Sequence, residues 1–220
     1  MKTEATLNES REFAISRILN LNRAKLGVEI GVFKGKFSKA ILDRWPGTLY
    51  MVDPWRPLGD EYFDASNHKM HVTAYSDTME IIKGYEDRAF MIRALSEQAV
   101  NLFADNSLDY VYIDGNHAYS WVKEDLELWW PKLKSGGIMA GHDYLLVDWE
   151  NNPKLDNDKD MHVYADNWRW QIANYYNPNN EISYAGIFGV NPAVHEFAEK
   201  HSVNYDLTEE WTSTFIIKKP

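Results

Sequence analysis

Cysteine is absent from the 220 residues. Its absence excludes a disulfide framework, a thiolate nucleophile and a thiolate metal site, so any metal would have to sit on oxygen and nitrogen ligands. Long apolar runs are missing as well. No segment approaches the roughly 18 consecutive apolar residues of a membrane span, and the opening stretch carries Glu4, Glu9, Arg11 and Glu12 in place of a signal-peptide core. A soluble, cytoplasmic protein with no membrane partner is the expectation. Basic residues are outnumbered, 23 against 33 acidic ones, for a net charge of −10. That balance argues against a nucleic-acid partner, which usually meets a basic face. Neither an internal repeat nor a low-complexity tract is visible, and the length suits a single domain spanning 1–220.

What is present is an alternation of short apolar runs and helical patterns. The runs are Leu26 to Ile30, Thr48 to Val52, Phe90 to Ile92, Leu108 to Ile113 and Gly137 to Ala140. Helices are suggested between them by Phe37, Ala40 and Ile41, by Val100 and Phe103, and by Val122, Leu126 and Trp129. Strands separated by helices imply βαβ units and a parallel sheet, with ligands beyond the carboxyl ends of the strands. Before the first strand, Phe13, Ile15, Ile18 and Leu19 recur at helical spacing after a capping candidate at Asn8 or Ser10, predicting a helical extension over 1–24. After Pro192 a last helix carries Val194, Phe197 and Ala198, followed by strand candidates Ser202 to Leu207 and Trp211 to Ile217. Segments 55–85 and 145–184 fit no sheet element, and their position after strand ends predicts lids over the crevice.

The polar residues at the strand ends carry the chemistry. The first strand runs into Glu29, Gly31 and Gly35, with Ser38 in the first turn of the following helix. An acidic strand end suits the ammonium of an amino-acid cofactor, whereas a pyrophosphate site presents Gly-x-Gly-x-x-Gly against a helix N-terminus. The second strand ends in Asp53, placed where a ribose diol would be held. The fourth ends in Ile113-Asp114-Gly115-Asn116-His117-Ala118-Tyr119, and the fifth in Gly141-His142-Asp143-Tyr144. If these two strands are neighbours, Asp114, His142 and Asp143 converge, offering two carboxylates and an imidazole to a hard or borderline divalent cation. His117 would reach the same substrate. Each residue also has a bland reading as a turn former or cap. His68, His71, His162, His195 and His201 lack a companion pattern and are given no role.

With those motifs assembled, most of the chain resembles the metal-dependent macrocin O-methyltransferase and cephalosporin-hydroxylase-like group of class I methyltransferases, of the methyltransferase family 24 type. The resemblance rests on Glu29-Ile30-Gly31, Asp53, Ile113 to Tyr119, Gly136-Gly137 and Gly141 to Tyr144. It implies a Rossmann-like α/β fold: a doubly wound, mostly parallel seven-stranded sheet with an antiparallel last strand. It implies S-adenosylmethionine as cofactor, with Glu29, Gly31, Asp53 and Ser96 around it, and the turn residues Gly35 and Ser38 and the carboxylate of Asp114 belong to the same region. Asp114, His142 and Asp143 are the implied ligands of a divalent metal, Mg²⁺ or Mn²⁺. Some relatives carry a carboxylate where His142 stands, and Mn²⁺ or Fe²⁺ accepts imidazole more readily than Mg²⁺ does. His117 is the implied general base, acting beside Asp114 on a hydroxyl group.

The acceptor expected is a sugar, glycoside or small natural product. Trp149, Trp168, Trp170, Tyr175 and Tyr176 either stack on it or anchor the lid. The N-terminal helix and the aromatic segment suit a homodimer face or lid packing equally well. Two other readings stand beside this one. A binding module would keep the ligand site without turnover, and a nucleotide-dependent oxidoreductase would bind nicotinamide tightly.

Overall fold

The computed structural model describes residues 10–58, 68–85, 87–144, 189–209 and 213–220. Its sheet contains β1 (Leu26–Ile30), β2 (Thr48–Val52), β3 (Ala89–Ile92), β4 (Leu108–Ile113), β5 (Leu133–Tyr144), β6 (Tyr205–Leu207) and β7 (Ser213–Lys218). The seven strands lie in the order β3-β2-β1-β4-β5-β7-β6. Strands β1 to β5 pair in parallel, and β7 enters antiparallel between β5 and β6. This is the Rossmann-like arrangement expected, including the antiparallel last strand. The order of strand addition reverses between β1 and β4, which run parallel, so a crevice opens beyond Ile30 and Ile113.

The strands read as apolar runs because helices cover both faces of the sheet. Along β4, Tyr110 and Tyr112 face one layer, and Val111 and Ile113 the other. The first layer holds α1 (Arg11–Leu21), α2 (Lys36–Leu42) and α3 (His68–Ile82), packed through Ile15, Leu19, Ile41 and Trp45. Opposite lie α4 (Ser96–Ala99), α5 (Tyr119–Trp129) and α6 (Val190–His201), packed through Val122, Leu126, Trp129 and Phe197. Trp45 and Trp129 are fully buried, and each stabilises the fold by an amount on the order of 2 kcal/mol or more. Trp45 also satisfies its indole N–H on the Ala24 carbonyl at 2.9 Å.

Two elements differ in detail from the sequence reading. Phe13 lies outward at 56% exposure, with the Arg44 guanidinium 4.6 Å above its ring. The stripe that packs α1 runs through Ala14, Ile15 and Leu19 instead. Within the segment expected as a lid, 68–82 forms α3, a crossover helix joining β2 to β3. Its buried stripe is His71, Ala74 and Thr78, helical in spacing but too polar to announce itself as a core face. Segment 145–184, with its aromatic residues, lies outside the described residues. Among the described residues, no helix is long and apolar enough to cross a membrane.

Candidate active site

The site begins with a tight turn. β1 delivers Glu29 and Ile30, and Gly31 follows at φ +84°, a conformation that L side chains rarely adopt. A Cβ at Gly31 would lie 2.0 Å from the Asp114 carbonyl oxygen, so the turn after β1 and the end of β4 touch backbone to backbone. Gly35, at φ +68°, precedes α2 and lies against Thr78 and Ile81 of α3. Ser38 is fully buried and donates its hydroxyl proton to Glu29 Oε2 at 2.6 Å.

Burial pushes the Glu29 carboxyl up to about 8; the Ser38 hydrogen bond opposes that shift and the negative charge of Asp114 adds to it. A folded-state pKa above the ordinary 4.5 means the folded state binds more protons than the unfolded chain between those values. The stability it contributes is full below pH 4.5 and is lost as the pH rises to about 8. Glu29→Gln should flatten that decline in a series of thermal melts from pH 5 to 9. A slope equal to that of the parent protein would refute the assignment.

Asp53 fastens the next part of the crevice. Its Oδ2 accepts from Phe33 N at 2.9 Å and its Oδ1 from Trp55 N at 2.6 Å. The Phe33 carbonyl in turn accepts from Trp55 Nε1 at 2.8 Å and Thr78 Oγ1 at 3.0 Å. One carboxylate thus ties together the turn after β1, the end of β2 and α3. Burial raises the Asp53 pKa, against the lowering effect of the two amides and of His71. His71, given no role from sequence, is therefore a buried neighbour of this carboxylate. Ser96, at the start of α4, donates to Asp125 and accepts from Trp129 Nε1 at 2.8 Å. Burial lifts Asp125 to about 7, with Ser96 opposing the shift.

The acidic centre forms where β4 and β5 end side by side, Ile113 opposite Gly141. The pairing of β5 with β7 shifts register between Gly141 and Tyr144, and Asp143 adopts φ +58°. Around that irregularity, His117 Nε2 sits 3.0 Å from Asp143 Oδ2 and 3.5 Å from Asp114 Oδ1. Ligand-capable atoms of Asp114, His117 and Asp143 all lie within 4.8 Å of one another. His142 lies outside this group and faces the other oxygen of Asp143, with Nδ1 3.2 Å from Oδ1. Burial would raise the Asp143 pKa, but contacts from His117 and His142 outweigh it and hold the carboxyl well below its usual range.

A residue unforeseen from sequence completes the centre. Arg11, in the first turn of α1, places Nη1 3.2 Å from Asp114 Oδ2 and 3.4 Å from the Tyr112 hydroxyl. Its guanidinium lies 4.8 Å over the Phe37 ring, which stacks on Tyr112 with centroids 4.1 Å apart. Nothing local could reveal this contact, since 103 positions separate Arg11 from Asp114.

The sheet order, the glycine turn and the acidic strand ends define a doubly wound domain of the class I methyltransferase type. The family described as "Methyltransferase domain" matches residues 28–144, from β1 to the end of β5, and the chain belongs to that family. A protein of Sinorhizobium fredii named "Uncharacterized protein y4gI" is 30% identical over 94 residues, which cover 43% of this chain and 10% of that protein. The match thus spans only about a tenth of the curated relative's length.

Solved structures with the same fold include a putative caffeoyl-CoA O-methyltransferase from Staphylococcus aureus. It has a TM-score of 0.62 and 13% identity, covering 97% of this chain and 85% of that one. An O-methyltransferase from Bacillus cereus in complex with SAH gives a TM-score of 0.58 at 9% identity, covering 99% and 84%. The SAH-bound methyltransferase PaMTH1 of Podospora anserina gives 0.55 at 14%, covering 96% and 80%.

Proposed function

We propose that this domain transfers a methyl group from S-adenosylmethionine to a hydroxyl oxygen, assisted by a divalent cation held at Asp114, His117 and Asp143. The observation that carries the reading is the convergence of those three side chains beside the acidic turn after β1. The donor set fits both groups. Carboxylates at Asp114 and Asp53 suit an ammonium and a ribose diol, and the buried Glu29 carboxyl beside them offers a neutral acceptor. Two carboxylates and an imidazole suit a hard or borderline divalent ion.

A cation bound there would supply Lewis acidity and lower the pKa of an acceptor hydroxyl. The protein's own part is positioning, because methyl transfer needs acceptor oxygen, methyl carbon and sulfur in line. Glu29 and Asp53 anchor one end of the cofactor, while Asp114 joins the cofactor crevice to the acidic centre. His117 Nε2 can serve a metal or an acceptor proton, but not both at once. Its separations from the two carboxylates favour the ligand role once a cation is present, with His142 supporting Asp143 from behind. Strand-end spacing suggested His142 as a ligand, and the resemblance implied His117 as base. A sugar, glycoside or small natural product with neighbouring oxygens is the acceptor class proposed, on the chelating character of the centre.

The deciding experiment measures S-adenosylhomocysteine released with a panel of hydroxylated acceptors, before and after chelation. Chelation should abolish release, and Mn²⁺ or Mg²⁺ should restore it. Turnover indifferent to chelation would remove the metal from the proposal. Binding of S-adenosylhomocysteine without turnover on any acceptor would favour a ligand-binding module. For the histidines, Mn²⁺ affinity should fall further in His117→Ala than in His142→Ala, where an outer partner costs about 10–100-fold.

A further inference from the structure

We infer that Arg11 and Asp114 form a clamp for the amino-acid end of the cofactor, with Arg11 taking its carboxylate and Asp114 its ammonium. The inference rests on the cofactor proposed above. It starts from a charge mismatch. The side chains gathered at the strand ends include the carboxylates of Asp53, Asp114 and Asp143, which would welcome an ammonium and repel a carboxylate. An amino-acid moiety carries both. A cation is therefore needed within reach of the same carboxylates, and Arg11 is the guanidinium whose charge acts on both Asp114 and Glu29.

The guanidinium is built into this place. Phe37 lies beneath it at 4.8 Å, the Tyr112 hydroxyl is 3.4 Å from Nη1, and the aliphatic stem belongs to a helix packed on α2 and the sheet. Only Nη1 is engaged by Asp114 and Tyr112, and Nε faces Glu12 at 3.8 Å. Among the described residues, Nη2 donates to no atom, so a planar fork suited to a carboxylate keeps one prong available. Other basic groups nearby are directed elsewhere. Arg93 donates to the carbonyls of Pro54 and Trp55, and Lys34 lies over the Phe33 ring.

A zwitterion arriving beside the Arg11–Asp114 pair leaves the net charge unchanged and gives each protein group an opposite partner. Nothing bonded breaks. The pair in the cofactor-free protein keeps Asp114 compensated until the ligand arrives, and it makes α1 part of the site.

The test compares S-adenosylhomocysteine with its decarboxylated analogue, the amine that lacks the carboxylate, by calorimetric titration in the absence of added metal. The parent protein should prefer S-adenosylhomocysteine. Arg11→Met keeps an apolar stem on Phe37 and removes the charge. It should weaken S-adenosylhomocysteine by about 10–100-fold, the loss of a charge-assisted hydrogen bond, while barely changing the analogue. Arg11→Lys should recover part of the preference. A structural role for Arg11 would weaken both ligands in proportion, and that result, or an unchanged ratio, overturns the clamp. If the parent protein binds S-adenosylhomocysteine but shows no preference, the clamp also fails while the methyltransferase proposal stands. No binding of either compound by the folded parent protein would overturn both.

Discussion

Asp114→Asn is expected to reduce methyl transfer by at least about a thousandfold, on the scale of losing a group that both binds metal and orients reactants, while the protein still folds. The backbone at this position is held independently of the side chain, since Asp114 N donates to the Ile30 carbonyl at 2.8 Å. The side chain does otherwise irreplaceable work on two sides. Oδ2 receives Arg11 at 3.2 Å, and Oδ1 faces His117 Nε2 at 3.5 Å. An amide is nearly the same shape but carries no charge, and it must turn its NH₂ toward either a guanidinium or the imidazole. It thus loses the ion pair and, under the function proposed, a metal ligand together. Release of S-adenosylhomocysteine would be measured beside circular dichroism and a melting curve. More than a tenth of the parent activity in a folded variant would show that Asp114 is not at the centre of the chemistry.

The second large effect concerns Gly31→Ala and acts on stability. The added methyl would meet backbone atoms of the turn after β4: the Asp114 carbonyl oxygen at 2.0 Å, its carbon at 2.4 Å and Gly115 Cα at 2.5 Å. Backbone cannot swing aside as a side chain can. Overpacking of this kind costs about 1–3 kcal/mol, and the left-handed φ of +84° adds a conformational penalty of about 1 kcal/mol. The sum corresponds to a fall of roughly 5–15 °C in melting temperature for a domain of this size. Cofactor affinity should fall with it, because any accommodation separates Asp114 from the turn carrying Glu29. A melting temperature within a degree or two of the parent would mean that the turn is looser than its geometry indicates.

The placement of Glu29, Asp53, Asp114 and Asp143 was legible in the sequence because a parallel sheet gathers all its carboxyl ends at one edge. A polar residue ending an apolar run therefore announces its position without knowledge of packing. The geometry of the two histidines was not legible. Which of His117 and His142 reaches between the carboxylates depends on the register shift near the end of β5 and the left-handed backbone at Asp143. Alternation along an ideal strand predicts neither. α3 escaped notice because its buried stripe uses His71 and Thr78 in place of large apolar residues. Arg11 escaped for a topological reason: the helix carrying it precedes the sheet and returns over β4 only in three dimensions.

The insertion of β7 between β5 and β6 imposes an order on biosynthesis. Until residues 213–218 have left the ribosome, β6 has no partner in the sheet, since its pairing is with β7. During that interval β5 presents an open edge from Ile138 to Tyr144, and unpaired edges are templates for wrong association. The nascent chain thus carries His142 and Asp143 on a strand that lacks one neighbour until residues 213–218 have emerged and paired. The end of β5 that carries the acidic centre is consequently closed in only after β7 pairs, and a ribosome that stalls before residue 213 holds a chain with an incomplete sheet.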